Sequence, residues 1–184
     1  MPAVAPAPLP PLARVLPAAL HDREGRAYAV REATPADRAA LERFYERFEP
    51  KRAAQGLPPV GIVRIVRWLD GILSGGTHLL VEAEGELVGH AFLVPTDRAG
   101  VGEYAIFLDH GIRGRGVGTR VNRLAAEAAA ALGLRRLWLS VEPHNRAAVR
   151  SYEKTGFRFR PETIYSSEAE MELEIPPETP PPAL

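Results

Sequence analysis

Twelve consecutive residues, Leu108-Asp109-His110-Gly111-Ile112-Arg113-Gly114-Arg115-Gly116-Val117-Gly118-Thr119, constrain this chain more than any other stretch. An apolar strand over residues 104–108 runs into a loop rich in glycine and arginine, and a long helix opens at about Val117. Such a junction aims several backbone N–H groups and the positive end of a helix dipole at one point, which suits an anion, most often a phosphate. Gly116 and Gly118 lack Cβ, so a phosphate can approach the main chain there. Arg113 and Arg115 bring positive charge beside those amides. Two common phosphate loops are excluded by counting. Gly111 and Gly116 have the P-loop separation, but Val117 stands where that loop needs Lys. Gly114-x-Gly116 begins a dinucleotide fingerprint, but Thr119 stands where its last Gly belongs. What fits is Arg-x-x-Gly-x-Gly, at Arg113, Gly116 and Gly118. A solvated turn would carry the same letters, so a second signal is needed.

The 184 residues suffice for one domain with a real core. Apolar content of 46% and charged content of 25% are those of a globular protein. A formal net charge of zero argues against a nucleic-acid or membrane-surface role. With no cysteine there is no disulfide framework, thiolate metal site or cysteine nucleophile. No apolar run approaches a membrane span and no secretory signal opens the chain, so a cytoplasmic protein is expected. Residues 1–20 are rich in Pro and Ala and read as a flexible arm; residues 176–184 read as a Pro-rich tail. The folded domain is then expected over residues 22–175.

Within it, residues 28–32 read as a first strand. Thr34-Pro35-Ala36-Asp37 starts a helix, with Thr as N-cap, Pro in the first position and Asp in the positive first turn. Leu41, Phe44, Tyr45 and Phe48 give that helix an apolar face. A second helix is expected over residues 60–73, with Ile62, Val66, Leu69 and Leu73 on its buried face. Residues 77–83 and 87–94 read as a hairpin. His78 and His90 lie on it and read as ordinary strand residues, because no carboxylate or second His sits at metal-ligand spacing; no metal is expected. A strand over residues 103–108 leads into the glycine loop. A helix over residues 117–132, with Val121, Leu124, Ala128 and Leu132 facing the core, crosses over to a parallel strand at 134–141. A short helix over 146–155 and strands at 157–159 and 169–175 follow. The fold class is a mixed α/β (α+β) sheet, mostly antiparallel, with about four helices.

The second signal lies on that short helix. Asn145, Ala148 and Tyr152 are spaced by three and four residues and so share one face, and Gly156-Phe157 follows. An N-cap Asn, a small packing residue and a core Tyr with a satisfied hydroxyl would read the same way. Together, however, Arg113-Gly114-Arg115-Gly116-Val117-Gly118 and Asn145-x-x-Ala148-x-x-x-Tyr152-x-x-x-Gly156-Phe157 resemble the two motifs of the GCN5-related N-acetyltransferase family, in order and on the elements that carry them. His110 departs from that pattern, standing where members often have Pro.

The resemblance implies the acyl-CoA N-acyltransferase (GNAT) fold and acetyl-CoA as donor cosubstrate. The amides of Gly114, Arg115, Gly116, Val117, Gly118 and Thr119, with Arg113 and Arg115 nearby, would hold the diphosphate. The strand edge at Phe107 and Leu108 would pair with the pantetheine arm, and one amide there would face the developing oxyanion. Asn145 would contact the pantetheine or phosphate portion, and Tyr152 would protonate the leaving thiolate. The attacking amine must be neutral, so a base is required; Glu103 is the candidate, with Glu142 behind it, although either would also serve as a plain surface carboxylate. The expected function is acetyl transfer to a primary amine by direct attack in a ternary complex. A non-catalytic acyl-CoA-binding module would keep the same loop, and a nucleotide binder is disfavoured by the failed phosphate patterns. The acceptor (a protein N-terminus, lysine, polyamine or antibiotic) is not readable, a homodimer is left open, and the segments 49–59 and 160–168 would shape its pocket. Lys51 and Arg52 sit in the first of these.

Overall fold

Alternation of short apolar runs with amphipathic ones assembles a single eight-stranded sheet flanked by helices on both faces. The computed structural model describes residues 11–51 and 58–176. In chain order the elements are β1 (Ala18–His21), β2 (Ala27–Glu32), α1 (Arg38–Arg47), α2 (Ile62–Ile72), β3 (Thr77–Ala83), β4 (Glu86–Pro95), β5 (Val101–Leu108), α3 (Val117–Ala131), β6 (Arg136–Val141), α4 (Arg146–Glu153), β7 (Arg158–Phe159) and β8 (Ala169–Glu174). The strand order is β1-β2-β3-β4-β5-β6-β8-β7. Every neighbouring pair is antiparallel except β5 and β6, which the crossover through α3 makes parallel. This is the mixed, mostly antiparallel sheet with four α-helices expected from the sequence.

The two faces bury separate cores. Tyr28, Leu79, Ala91, Tyr104 and Leu137 pack beneath α3 and α4. Leu80, Phe92 and Phe107 pack beneath α1 and α2, against Leu41, Phe44, Tyr45, Ile65 and Leu69. Fully burying each such side chain stabilises the fold by about 1.5–3 kcal/mol. The start of α1 follows its sequence signal: the Thr34 amide and hydroxyl both donate to Asp37 Oδ2, at 2.7 and 2.9 Å.

Three expectations need correction. Residues 11–20 are not part of an arm. Pro11–Arg14 form a 3-10 turn, β1 pairs with β2 from Ala18↔Val30 to His21↔Ala27, and Leu16 is buried in the core under α3. The rest of the arm and residues 177–184 of the tail lie outside the described residues, as does Arg52. In α2 the buried face is Ile65 and Leu69, while Ile62 is exposed. Apolar residues surround that helix, so periodicity alone offers two faces, and contact with the α1 aromatics selects between them. Leu132, expected in the core, lies beyond the end of α3 and is exposed.

The topological feature that positions the site is a fork. β5 pairs with β6 only at Val101↔Arg136, Gly102↔Leu137 and Glu103↔Trp138. β5 stays paired to β4 as far as Leu108↔Gly89, and β6 to β8 as far as Val141↔Ala169. Beyond Glu103 the two halves of the sheet therefore part, leaving a strand edge along residues 104–108.

Candidate active site

The glycine loop leaves the open end of the fork. After β5, a 3-10 turn at His110–Ile112 buries Ile112, and α3 begins. Gly114 and Gly116 have φ of +74° and +90°, a left-handed backbone that side chains with Cβ adopt only with strain. The first N–H of the helix to reach an intrahelical carbonyl is that of Arg120, which donates to Gly116 O at 3.3 Å. Among the described residues, the six amides ahead of it, 114–119, donate to nothing. Val117 anchors the turn in the core, and Gly118 lies where an added Cβ would meet Leu108 and Ser151 at 3.4 Å.

The two arginines are engaged by protein groups. Arg113 Nε donates to Leu108 O at 2.8 Å and its Nη2 to Glu49 O at 2.6 Å, with the guanidinium 5.3 Å from the Phe48 ring. It clamps the loop to the end of α1. Arg115 Nη1 donates to Glu24 Oε2 at 2.6 Å and lies 3.7 Å from Asp22 Oδ2, while the Arg23 amide donates to Arg115 O. The β1–β2 turn thus props the loop. Arg115 is thus neutralised by carboxylates, whereas Arg113, bonded to two neutral carbonyls, keeps its positive charge beside the open amides.

The fork brings further groups together. Tyr152 on α4 is buried, its ring 6.5 Å edge-on from Tyr104 and 5.6 Å from Phe157. Its hydroxyl has no hydrogen-bond partner among the described residues, unlike the satisfied core tyrosine that the spacing alone allowed. Burial pushes its pKa well above the ordinary phenol value, so the proton stays on oxygen. Phe107 turns its ring to the other face, into a cluster with Tyr45, Phe48, Trp68 and Phe92. Glu103 is the last β5 residue paired with β6, at the apex of the fork. It has no ion-pair partner among the described residues, and partial withdrawal from water raises its pKa. About five residues of strand, some 16 Å, separate it from the glycine loop, so it lies at the far end of the fork from the anion-binding amides. Asn145 caps α4, its Oδ1 accepting from the Ala148 amide at 3.2 Å. Glu142 lies 3.3 Å from His144 Nε2, on the surface.

Two buried polar chains escaped the sequence reading. On the α3 face Tyr104 Oη donates to Asn122 Oδ1 at 2.8 Å, Asn122 Nδ2 donates to Ser151 Oγ at 3.1 Å, and Ser151 Oγ lies 3.1 Å from Thr119 Oγ1. On the α1 face Tyr45 Oη, His90 and His78 form a line ending on Gly75 O, with spacings of 2.5, 3.0 and 3.0 Å. Asn122, polar amid the apolar positions of α3, was the one available signal for the first. His78 and His90 meet only through the hairpin register, which sets Leu80 opposite His90.

A sequence model of the acetyltransferase (GNAT) family matches residues 38–157. An uncharacterized N-acetyltransferase of Mycobacterium tuberculosis is 34% identical over 80 residues, 44% of this chain and 51% of that protein; the chain spans about half the length of the curated relatives it matches. Among solved structures, the GNAT domain of S. lividans PAT superposes with a TM-score of 0.71 at 21% identity, over 86% of this chain and 96% of that one. An acetyltransferase from Salmonella typhimurium with its cofactor acetyl-CoA superposes with a TM-score of 0.61 at 21% identity, over 85% and 99%. At these identities the two structures speak for the fold alone. No helix among the described residues is long and apolar enough to cross a membrane.

Proposed function

The chain belongs to the acetyltransferase (GNAT) family, and from that premise we propose that it transfers an acetyl group from acetyl-CoA to a primary amine by direct attack in a ternary complex. One observation carries the reading: among the described residues, six consecutive amides, 114–119, stand open at the mouth of a fork whose inner strand edge is unpaired and whose flank holds an unpartnered phenol. The amides take the diphosphate, and the edge at Phe107 and Leu108 pairs with the pantetheine as an added strand would. Leu108 O already accepts from Arg113, so the contact there falls to the amides. Arg113 and Arg115 hold the loop in shape.

The chemistry then runs along the fork. A neutral amine attacks the thioester carbonyl, charge builds on oxygen, and a β5 amide stabilises it. The C–S bond breaks and the charge moves to sulfur. Tyr152 donates a hydrogen bond to that sulfur and passes its proton as the thiolate leaves, and the proton given up by the acylated nitrogen restores the phenol through water. Burial weakens the phenol as an acid, so the proton passes only as negative charge builds on sulfur. Glu103, at the apex with a raised pKa and no ion-pair partner among the described residues, takes the proton from the incoming ammonium, directly or through water. Asn145 changes partner little: it caps α4 and touches the cofactor from there. A purely acyl-CoA-binding role would not need an open phenol on α4.

The test is a CoA-release assay with acetyl-CoA and four acceptor classes: N-terminal peptides, lysine peptides, polyamines and aminoglycosides. Release above the hydrolysis background with one class supports the reading. Tight CoA binding with no transfer to any class would replace it with the binding-module reading.

A further inference from the structure

The chain from Tyr104 to Thr119 has a direction, and we infer that it orients the Thr119 hydroxyl proton outward as a seventh donor of the anion site. The inference rests on the cofactor placement proposed above.

The argument begins at the buried end. Tyr104 is almost wholly inaccessible, and its hydroxyl has one partner among the described residues, the Asn122 side chain at 2.8 Å. A buried hydroxyl proton without an acceptor is destabilising, so Tyr104 must donate, and the atom it meets must be the amide oxygen of Asn122. That fixes which way the Asn122 amide faces, a choice that coordinates alone do not make. Its nitrogen then lies 3.1 Å from Ser151 Oγ and donates to it. Ser151 Oγ meets no acceptor among the described residues other than Thr119 Oγ1, at 3.1 Å, so its own proton goes there. A hydroxyl carries one proton, and with Oγ1 accepting from Ser151 the Thr119 proton is left free. Thr119 is the third residue of α3, in the same first turn whose amides are open. An oriented hydroxyl there adds a donor to an anion with no reorganisation on binding.

The same chain ties the loop to the fork. Ser151 immediately precedes Tyr152, and Tyr104 packs edge-on against the Tyr152 ring. Asn122, Ser151 and Tyr104 are therefore positioning residues. Were Tyr104 to lose its hydroxyl, the Asn122 amide could turn over, Ser151 would donate inward, and the Thr119 proton would be drawn to Ser151.

The test is a double-mutant cycle read as the dissociation constant of CoA by calorimetry. Thr119→Val should weaken binding roughly tenfold or more, the loss of one hydrogen bond to a charged acceptor, and Thr119→Ser should restore it. Tyr104→Phe should weaken binding several-fold, and the same substitution should change nothing further in a Ser151→Ala background, where the chain is already cut. A Tyr104→Phe protein that binds CoA as the parent does, or a loss that persists in the Ser151→Ala background, overturns the relay. Thr119→Ser behaving like Thr119→Val overturns it too, and does so even if the Tyr104 variant fails to fold. If the unaltered protein does not bind CoA at all, it is the cofactor assignment that fails, and not this inference alone.

Discussion

The two faces of the sheet handle buried polar groups in opposite ways. Beneath α1 and α2 the chain Tyr45–His90–His78–Gly75 closes on itself. Gly75 O can only accept, so His78 carries its proton on Nε2 and accepts on Nδ1. His90 then carries its proton on Nε2 and accepts on Nδ1 from Tyr45. Every donor meets an acceptor, both rings are neutral, and nothing is left for a ligand. On the other face and at its rim, donors remain open among the described residues: the amides of residues 114–119, the β5 edge and the Tyr152 hydroxyl. Open amides at a helix start are met by water or by a ligand, and the function proposed above gives them the diphosphate. The contrast separates a structural polar network from a binding one without reference to any bound molecule.

The sharpest way to break the contrast is Tyr152→Phe. Loss of a general acid should lower kcat by roughly 10²–10⁴-fold while the CoA dissociation constant stays within about twofold; a steady-state assay beside calorimetry checks both. On the closed face, His90→Ala should instead act through stability. It opens a cavity and strands the Tyr45 hydroxyl, lowering unfolding free energy by about 3 kcal/mol in denaturant titration, with CoA affinity of the folded protein unchanged. The closed face should also be sensitive to acid. Burial holds the His90 pKa at about 3, below its ordinary 6.5, so the unfolded chain binds the extra proton between these values. Stability is then full above pH 6.5 and declines as pH falls toward 3, by up to about 1.4 kcal/mol per pH unit. His90→Gln should flatten that slope, and an unchanged slope would remove His90 from the account. Smallest in expected effect is Glu103→Gln. If Glu103 is the base, kcat/KM rises with pH through a pKa above the usual carboxylate range, and the variant loses that limb.

Much of this was legible in the sequence, and what was missed shares a cause. The α1 start at Thr34-Pro35-Asp37 and the Asn145 cap are local, each set by residues within a few positions. The order of strands and helices followed from periodicity. By contrast, β1 is only four residues long and follows six prolines, so composition argued for an arm; Leu16 and Leu20 become core residues only once β2 is beside them. The arginines of the loop looked free because Glu24 and Glu49, which bind them, are 91 and 64 residues away. The His78–His90 pair and the Tyr104–Asn122–Ser151 chain depend on strand register and on how α3 lies against α4, which no local pattern records. The fork itself was also invisible, because it is the point at which two strands stop pairing.

The central claim is that open main-chain donors at residues 114–119 grip the diphosphate of CoA. Backbone amide resonances followed during a CoA titration test it most directly. The account predicts large downfield shifts confined to residues 114–119 and the β5 edge, with the amides of Tyr45, His78 and His90 unmoved. Shifts centred on the histidine face, with the glycine loop silent, would contradict it.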